Sequence, residues 1–417
     1  MHTIQNYIDR FTSIRNKTMQ ICEPLEEEDY VVQPMIDVSP PKWHLGHTTW
    51  FFETFILIPY CDNYKIYKDD FAFVFNSYYE TLGKRVLRAD RGNLSRPTVK
   101  EVFKYREYVD EMLLKYLSSN LKLNEVAPVL EIGLQHEQQH QELLVTDIKY
   151  ILGNNPLFPV YSTLEENMKK DLNLEVRELE VPEGIYEIGY AGSQFCFDNE
   201  LGKHKVYLQG FTFEDRLITN AEYLSFMADG GYRDFRYWLL EGWEYVKSEK
   251  LEAPLYWYNV DGKWQNYTLR GFEDIQLDAP VTHISFYEAD AYARWRGKRL
   301  LTEFEWEAAC KMYSPLTDHM GNFQDNGIYL PTPRIGSNTQ MLGDAWEWTN
   351  SAYLPYPYYQ KADGALGEYN GKFMINQMVL RGGSCATPSD HMRISYRNFF
   401  HPDKRWQFTG IRLAKTL

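Results

Sequence analysis

The chain has 417 residues, a length that predicts two or three domains of roughly 150 residues each. Hydrophobic residues make up 44% and charged residues 24% of the sequence, which is typical of a folded globular protein and excludes an intrinsically disordered one. The 44 basic and 58 acidic residues give a net charge of −14, so we expect no nucleic acid and no anionic membrane as a partner. We see neither an apolar run of about 18 residues nor a signal-peptide pattern, and we expect a cytoplasmic protein.

The first part of the chain has the hydrophobic periodicity of helices. Apolar residues recur at helical spacing in four stretches, which are residues 6–22, 42–57, 99–117 and 126–152. Gly153 and Pro156 then end the last stretch, as expected at a helix C-terminus. Four helices in a short segment predict an up-and-down bundle over residues 1–156.

The second part of the chain is more irregular. A linker over residues 157–173 leads into alternating apolar and polar residues up to Tyr190, and Gly, Pro, Asn, Asp and Trp recur from there on. Three helical stretches stand out, at residues 219–228, 285–296 and 302–311. We therefore predict an α+β protein whose second domain, residues 174–417, has little regular structure and long ordered loops.

Two histidines four residues apart form the sharpest local signal. His136 and His140 lie in the fourth predicted helix, so their imidazoles project from one face and could bind one metal ion. An ordinary solvated pair is the alternative. His44 and His47 lie in another helix of the same bundle, and metal ligands from facing helices meet in a bundle core. One of these added to the pair gives three nitrogens with open positions, which suits catalytic zinc or non-haem iron.

The same letters match the HExxH pattern of zinc hydrolases, with Glu137 as the general base. The extended metzincin pattern fails, because Leu143 stands where that pattern requires glycine. A zinc hydrolase stays open at this point as a more distant alternative.

Two groups of segments resemble known domains. Residues 36–57 and 99–150 resemble a DinB-type metal-binding helical bundle. From Val181 onward the chain resembles the formylglycine-generating-enzyme (sulfatase-modifying-factor) fold, a variant of the C-type lectin fold. The matching segments include VPEG at 181–184, TNAEY at 219–223, RLLTEFEWE at 299–307, GDAWEWT at 343–349, RGGS at 381–384 and GIRL at 410–413.

The combination of these two domains resembles the iron-dependent sulfoxide synthases of ergothioneine and ovothiol biosynthesis. Such enzymes use Fe(II) and O2 to join a cysteine thiol to an imidazole carbon of a histidine derivative and to oxidise the sulfur. The resemblance implies Fe(II) as the cofactor, with His47, His136 and His140 as its ligands. It leaves His44 in a supporting or surface position.

The segment 76–85 resembles the cysteine-using (EgtB-like) subgroup of the ergothioneine synthases. The substrates of that subgroup imply hercynine (trimethylhistidine), cysteine and O2 as small-molecule partners of this chain. The resemblance makes Tyr78 or Tyr79 the catalytic acid, because a phenol can donate a proton to a reduced oxygen species. An ordinary aromatic pair in a tyrosine-rich chain is the alternative.

Substrate-binding residues also follow from the resemblance. It assigns Arg88 and Arg91, together with Arg85, to the cysteine carboxylate, which guanidinium groups bind in bidentate fashion. Hercynine carries a permanent cation, and aromatic faces with nearby carbonyls suit such a group. The residues implied for hercynine are Gln139, Asn398, Phe399 and Phe400.

Other functions fit parts of the sequence. A formylglycine-generating oxidase would need two reactive cysteines just after the RGGS segment, where Cys385 stands alone. An ovothiol-type synthase would act on histidine itself, and it typically carries a methyltransferase domain that we do not expect here. A selenium-transferring relative stays open, because no residue identifies the chalcogen. A lectin-like binding module would leave the grouped histidines and arginines unexplained. The sequence predicts no particular oligomeric state.

Overall fold

The computed structural model describes residues 3–77, 79, 83–119, 122–163, 175–314, 321–336, 338–361, 367 and 370–417. Its residues form two compact units. The first comprises Met1–Tyr161 with Asp363–Tyr369, and the second comprises Ser162–Ala362 with Asn370–Leu417. None of the helices in the described part of the chain is long and apolar enough to cross a membrane.

The first unit is a bundle built from four long helical segments. The helices are α1 (Ile4–Cys22), α2 (Pro41–Phe52), α3 (Ile58–Tyr60), α4 (Asp70–Phe75), α5 (Val99–Ser118) and α6 (Leu123–Gly153). A π-helical turn over Glu53–Leu57 joins α2 to α3 without a break. The predicted helical character of the N-terminal region is confirmed.

Local sequence explains where these helices begin and end. The hydroxyl of Thr3 caps α1, and Thr98 with Glu101 forms a capping box at the start of α5. Helix α6 ends at Gly153, where the sequence predicts a stop.

Helix α2 is the central helix of the bundle. All 12 of its residues are buried, and it packs against α4, α5 and α6. A helix that is apolar on most sides is expected in such a position. Any polar side chain on α2 must therefore find its hydrogen-bond partners inside the protein.

The second unit contains short strands and long loops. Its strands are β1 (Glu178–Val181), β2 (Gly184–Ile188), β3 (His204–Leu208), β4 (Phe211–Glu214), β5 (Trp257–Val260), β6 (Lys263–Thr268), β7 (Gly271–Asp274), β8 (Arg299–Leu300), β9 (Trp346–Ala352), β10 (Met378–Arg381), β11 (Asn398–Phe400), β12 (Thr409–Gly410) and β13 (Leu413–Thr416). They form sheets in the orders β1-β4-β13-β8, β11-β10-β9-β12, β2-β3 and β5-β6-β7. The described strand pairs are antiparallel except β9 with β12.

Four helices accompany these sheets: α7 (Asn220–Ala228), α8 (Leu240–Glu249), α9 (Phe286–Trp295) and α10 (Glu303–Tyr313). Capping boxes begin α7, α9 and α10, and these three are the predicted helices. Helix α8 was not predicted. It contains Gly242 and few regularly spaced apolar residues, so it lacks a clear helical periodicity.

Buried ion pairs join the segments that carry the family resemblance. Arg381 of β10 contacts Glu307 of α10 at 2.5 Å, and the side chains of both are fully buried. Arg412 contacts Glu347 of β9 at 2.7 Å. A buried charge needs such a partner, so these residues hold loops of the second unit together. The predicted α+β architecture is confirmed.

Candidate metal centre

Helices α2 and α6 bring three histidines together inside the bundle. His47 comes from α2, and His136 and His140 come from α6. One potential ligand atom from each lies within 4.8 Å of the other two. His47 and His136 are buried, whereas His140 is partly exposed. Among the residues that the structure describes, this is the one group of three metal-ligating side chains.

The distances fit one shared metal ion. Nε2 of His47 lies 3.2 Å from Nε2 of His136. Two nitrogens that each lie about 2.1 Å from one ion are roughly 3 Å apart when their bonds are perpendicular. The opposite ring atom of His47, Nδ1, lies 2.6 Å from the carbonyl oxygen of Phe75. His47 therefore donates through Nδ1 and presents the lone pair of Nε2 to the group.

Burial keeps the three imidazoles neutral. It lowers the pKa of His136 to about 4. Burial also lowers the pKa of His47 and the pKa of His140 well below the usual range, and the neighbouring imidazoles lower both further. A neutral imidazole is the form that binds a metal, so the group is ready for one at neutral pH.

Glu137 is excluded as a general base beside these histidines. Its carboxylate is fully buried and accepts hydrogen bonds from Arg15 at 2.9 Å, Arg106 at 2.6 Å and Thr18 at 2.7 Å. Burial alone raises the pKa of Glu137, but the guanidinium groups of Arg106 and Arg15 outweigh it and lower the pKa to about 2. The HExxH pattern is therefore present, but its glutamate pairs with arginines instead of serving as the general base of a zinc hydrolase.

Aromatic rings enclose His47. Trp43 stacks on it with centroids 4.6 Å apart, and Trp50 stacks with centroids 5.6 Å apart. The ring of Tyr79 lies 5.5 Å from that of Trp50, so this predicted acid and His47 both pack against the same indole. Tyr79 is buried, and its backbone N–H donates to Oδ1 of Asn76 at 3.2 Å. Its predicted alternative, Tyr78, lies outside the described residues.

The three predicted carboxylate-binding arginines have different environments. Arg91 is buried, and its guanidinium carbon lies 3.3 Å from the ring centroid of Trp43. It donates to Oγ of Ser39 at 2.8 Å and to Oγ of Ser77 at 3.0 Å. Arg88 and Arg85 are half-buried, and Arg88 donates to the backbone carbonyl of Asp37. Arg91 is thus linked to His47 through Trp43.

The residues predicted for hercynine lie in both units. Gln139 lies on α6 next to His140 and is half-buried. Asn398, Phe399 and Phe400 form β11 of the second unit and are also half-buried. Phe399 stacks on Tyr353 with centroids 4.1 Å apart and an interplanar angle of 11°.

Comparisons with known proteins show the family to which the chain belongs. Residues 10–144 match the DinB superfamily, and residues 163–326 and 333–417 match the sulfatase-modifying factor enzyme 1-like domain. A hercynine oxygenase of Mycolicibacterium thermoresistibile is 34% identical over 70% of this chain and 70% of the relative. A second, of Mycolicibacterium smegmatis, is 32% identical over 74% of this chain and 77% of the relative. The chain belongs to the hercynine oxygenase family.

The chain is less similar to the formylglycine-generating enzymes than to the hercynine oxygenases. The formylglycine-generating enzyme of Streptomyces coelicolor is 27% identical over 57% of this chain and 88% of the relative. That match leaves much of the chain uncovered, whereas the hercynine oxygenases cover more of it. Cys385, which follows the RGGS segment, is fully buried.

The sequence analysis did not identify Asp147, which lies near the three histidines. Asp147 follows His140 by seven residues on α6, a spacing that places both side chains on one face of a helix. Its carboxylate is buried and contacts His44, which the sequence left between a supporting and a surface position. The structure places His44 inside the bundle, and the seven-residue spacing could have pointed to Asp147.

Proposed function

We propose that this protein is an Fe(II)- and O2-dependent hercynine sulfoxide synthase that joins cysteine to hercynine. The observation that supports this proposal is the group of three histidines, two of them buried, in a member of the hercynine oxygenase family. In the proposed reaction an imidazole C–H bond and a thiol S–H bond are lost, and a C–S bond forms. O2 supplies the sulfoxide oxygen, and its second atom leaves as water with the two hydrogens.

His47, His136 and His140 would hold the iron, and Fe(II) would supply the open coordination positions and the electrons with which O2 is activated. Three neutral imidazoles leave the charge of a divalent ion uncompensated. An anionic thiolate is therefore a favourable further ligand, which fits cysteine as the sulfur donor. Burial of His47 and His136 limits the access of water to that side of the group.

Arg91 would bind the carboxylate of cysteine. Ser39, Ser77 and the face of Trp43 fix the plane of its guanidinium group. A planar guanidinium held in one orientation can pair with a carboxylate in bidentate fashion. Arg88 and Arg85, which lie on the same segment, would add positive charge around the substrate.

Gln139, Asn398, Phe399 and Phe400 would bind hercynine. An amide such as that of Gln139 can exchange hydrogen bonds with an imidazole ring. The trimethylammonium group donates no conventional hydrogen bond, so aromatic faces such as those of Phe399 and Phe400 suit it.

The tyrosine pair would supply the proton. Tyr79 is held in place by Asn76 and by the rings of Trp50 and Phe55. Either Tyr78 or Tyr79 would hold the proton at its phenol oxygen and donate it as O2 is reduced.

The test is turnover of protein loaded anaerobically with Fe(II), mixed with O2, cysteine and hercynine, with the product identified by mass. We expect the sulfoxide conjugate of hercynine and cysteine. Replacing Tyr78 and Tyr79 by phenylalanine should lower C–S bond formation by roughly 10²- to 10⁴-fold, the usual contribution of a general acid. Tyr108→Phe, which removes a phenol hydrogen-bonded to the carbonyl of Lys65, is the matched control and should retain activity.

Parallel reactions separate the alternatives. Histidine in place of hercynine tests the ovothiol-type reaction, and γ-glutamylcysteine or a selenium donor in place of cysteine tests the other sulfur and selenium sources. An iron-loaded protein that consumes neither hercynine nor cysteine, or that prefers one of these replacements, would contradict the proposal.

A further inference from the structure

A chain of hydrogen-bonded side chains leads away from the three-histidine group. Nδ1 of His44 lies 2.8 Å from Nδ1 of His140, and Nε2 of His44 lies 3.0 Å from Oδ2 of Asp147. The backbone N–H of Ser39 donates to the same carboxylate oxygen at 2.8 Å. His44 and Asp147 are buried, with 3% and 1% of their surfaces exposed.

The carboxylate fixes the direction of these hydrogen bonds. An ionised carboxylate only accepts, so Nε2 of His44 carries the proton that faces Asp147. In its neutral form His44 has one N–H, which leaves Nδ1 of His44 as an acceptor. Nδ1 of His140 must then be the donor across the 2.8 Å contact, and the lone pair of His140 lies on Nε2.

His47 has the same tautomer, with the proton on Nδ1, but a different hydrogen-bond partner. Its Nδ1 donates to the carbonyl oxygen of Phe75, and its Nε2 faces the group. A backbone carbonyl thus directs the histidine on α2, whereas a histidine and a carboxylate direct the histidine on α6. Asp147 follows His140 by seven residues, roughly 10.5 Å along the helix axis. His44 spans that distance, which Asp147 alone could not.

We propose that His44 and Asp147 are positioning residues, which hold His140 in the tautomer and ring orientation that bind the metal. The inference rests on the proposed metal site and deepens it, because neither residue needs to touch the ion or a substrate. Hydrogen-bond partners behind ligand histidines commonly change metal affinity by roughly 10- to 100-fold.

The test uses Co(II) as the probe, with no substrate and no O2. The readouts are the dissociation constant of Co(II) and the paramagnetically shifted, solvent-exchangeable imidazole N–H signals in the proton NMR spectrum. His44→Phe should weaken Co(II) binding by roughly 10- to 100-fold. It should also remove one slowly exchanging shifted signal, since Nδ1–H of His140 loses its acceptor.

Two further variants show whether hydrogen bonding, rather than packing, is responsible. His44→Asn places an amide oxygen close to where Nδ1 of His44 lies, so it should restore most of the affinity and the signal. Asp147→Asn should weaken binding by a few-fold, because an amide oxygen can replace the carboxylate oxygen as a weaker acceptor. The control is Thr48→Val. It removes a buried hydroxyl that donates to the backbone carbonyl of His44, and it leaves the hydrogen bonds of the His44 side chain in place. This variant should bind Co(II) as the wild type does.

The outcomes distinguish two failures. A wild-type protein that does not bind Co(II) would overturn the three-histidine site, and with it the proposed function. A wild type that binds Co(II) while His44→Phe keeps the same dissociation constant and the same shifted signals would overturn the positioning role alone. If circular dichroism shows His44→Phe to be unfolded, Asp147→Asn decides by the same readouts, and wild-type values in that variant would overturn the inference.

Discussion

His136 and Glu137 are neighbours in the chain, yet the helix turns their side chains about 100° apart and gives them different environments. His136 faces His47 across the gap between α6 and α2. Glu137 faces Arg15 of α1 and Arg106 of α5. One short pattern thus contains a candidate metal ligand and a structural carboxylate.

Glu137→Gln should destabilise the protein rather than remove a catalytic base. Loss of the charge leaves the buried guanidinium group of Arg106 with a neutral partner and leaves Arg15 with Asp110 as its carboxylate partner. Disruption of a buried ion pair costs about 3 kcal/mol or more. The free energy of unfolding from urea denaturation is the measurement.

The control for this change is Glu131→Gln on the same helix. Glu131 contacts Arg10 at 2.6 Å, and the two side chains are 14% and 22% exposed. Water screens this pair more than the fully buried cluster of Glu137, so the loss of stability should be smaller. Equal losses in the two variants would show that the Glu137 cluster does not stabilise the bundle as described.

The spacing of His136 and His140 was enough to predict a metal-binding pair from sequence. It left His44 and His47 as alternatives for the third nitrogen, because both lie on the same helix three residues apart. The resemblance favoured His47, and the structure groups His47 with the pair. The contact between His44 and Asp147 depends on how α2 and α6 pack, which the pattern of one helix does not specify.

Helix α2 positions the site through close packing at one glycine. A Cβ atom added at Gly46 would lie 2.1 Å from the ring of Phe75. Phe75 ends α4, and its carbonyl oxygen accepts the hydrogen bond from His47. Glycine on α2 therefore allows the ring and the carbonyl of one residue to approach the helix together.

Gly46→Ala should disturb both the fold and the metal site. The displaced Phe75 ring should lower stability by about 1–3 kcal/mol, as is usual for an overpacked core. Movement of the Phe75 carbonyl should also weaken Co(II) binding, because Nδ1 of His47 loses its partner. Thermal unfolding and a Co(II) titration are the measurements.

Gly184→Ala provides the comparison, because the nearest atom to its added Cβ would be 3.8 Å away, an ordinary contact distance. It should leave both quantities near their wild-type values. A Gly46→Ala protein with wild-type stability and wild-type metal affinity would contradict the role given to this glycine.

The sequence predicted the first and last residues of most of the long helices to within a few positions. Capping boxes such as that of Thr98 and Glu101 and a terminal glycine such as Gly153 are local signals. The strands were far less predictable. Strand β13 pairs with β4 and β8, which lie far from it in the chain, and β8 has only two residues. Such pairing depends on long-range contacts that no local period reveals.

The two units carry different kinds of sequence information. In the second unit the segments that identify the family contribute buried ion pairs, such as Arg381 with Glu307 at 2.5 Å. They specify a fold, and a fold shared with formylglycine-generating enzymes does not determine the chemistry. In the first unit the histidine spacing predicted a metal site but left zinc and iron open. The resemblance to a family then favoured iron over zinc.

The account depends on one Fe(II) ion held jointly by His47, His136 and His140. The most direct measurement is the amount of Fe(II) bound per chain after anaerobic loading and removal of excess metal, for the wild type and for an alanine variant of each histidine. We predict one Fe(II) per wild-type chain, almost none in the three variants, and one in the control His204→Ala, whose imidazole lies in the second unit. A folded His136→Ala protein that retains a full equivalent of iron, or a wild type that binds none, would contradict the central claim.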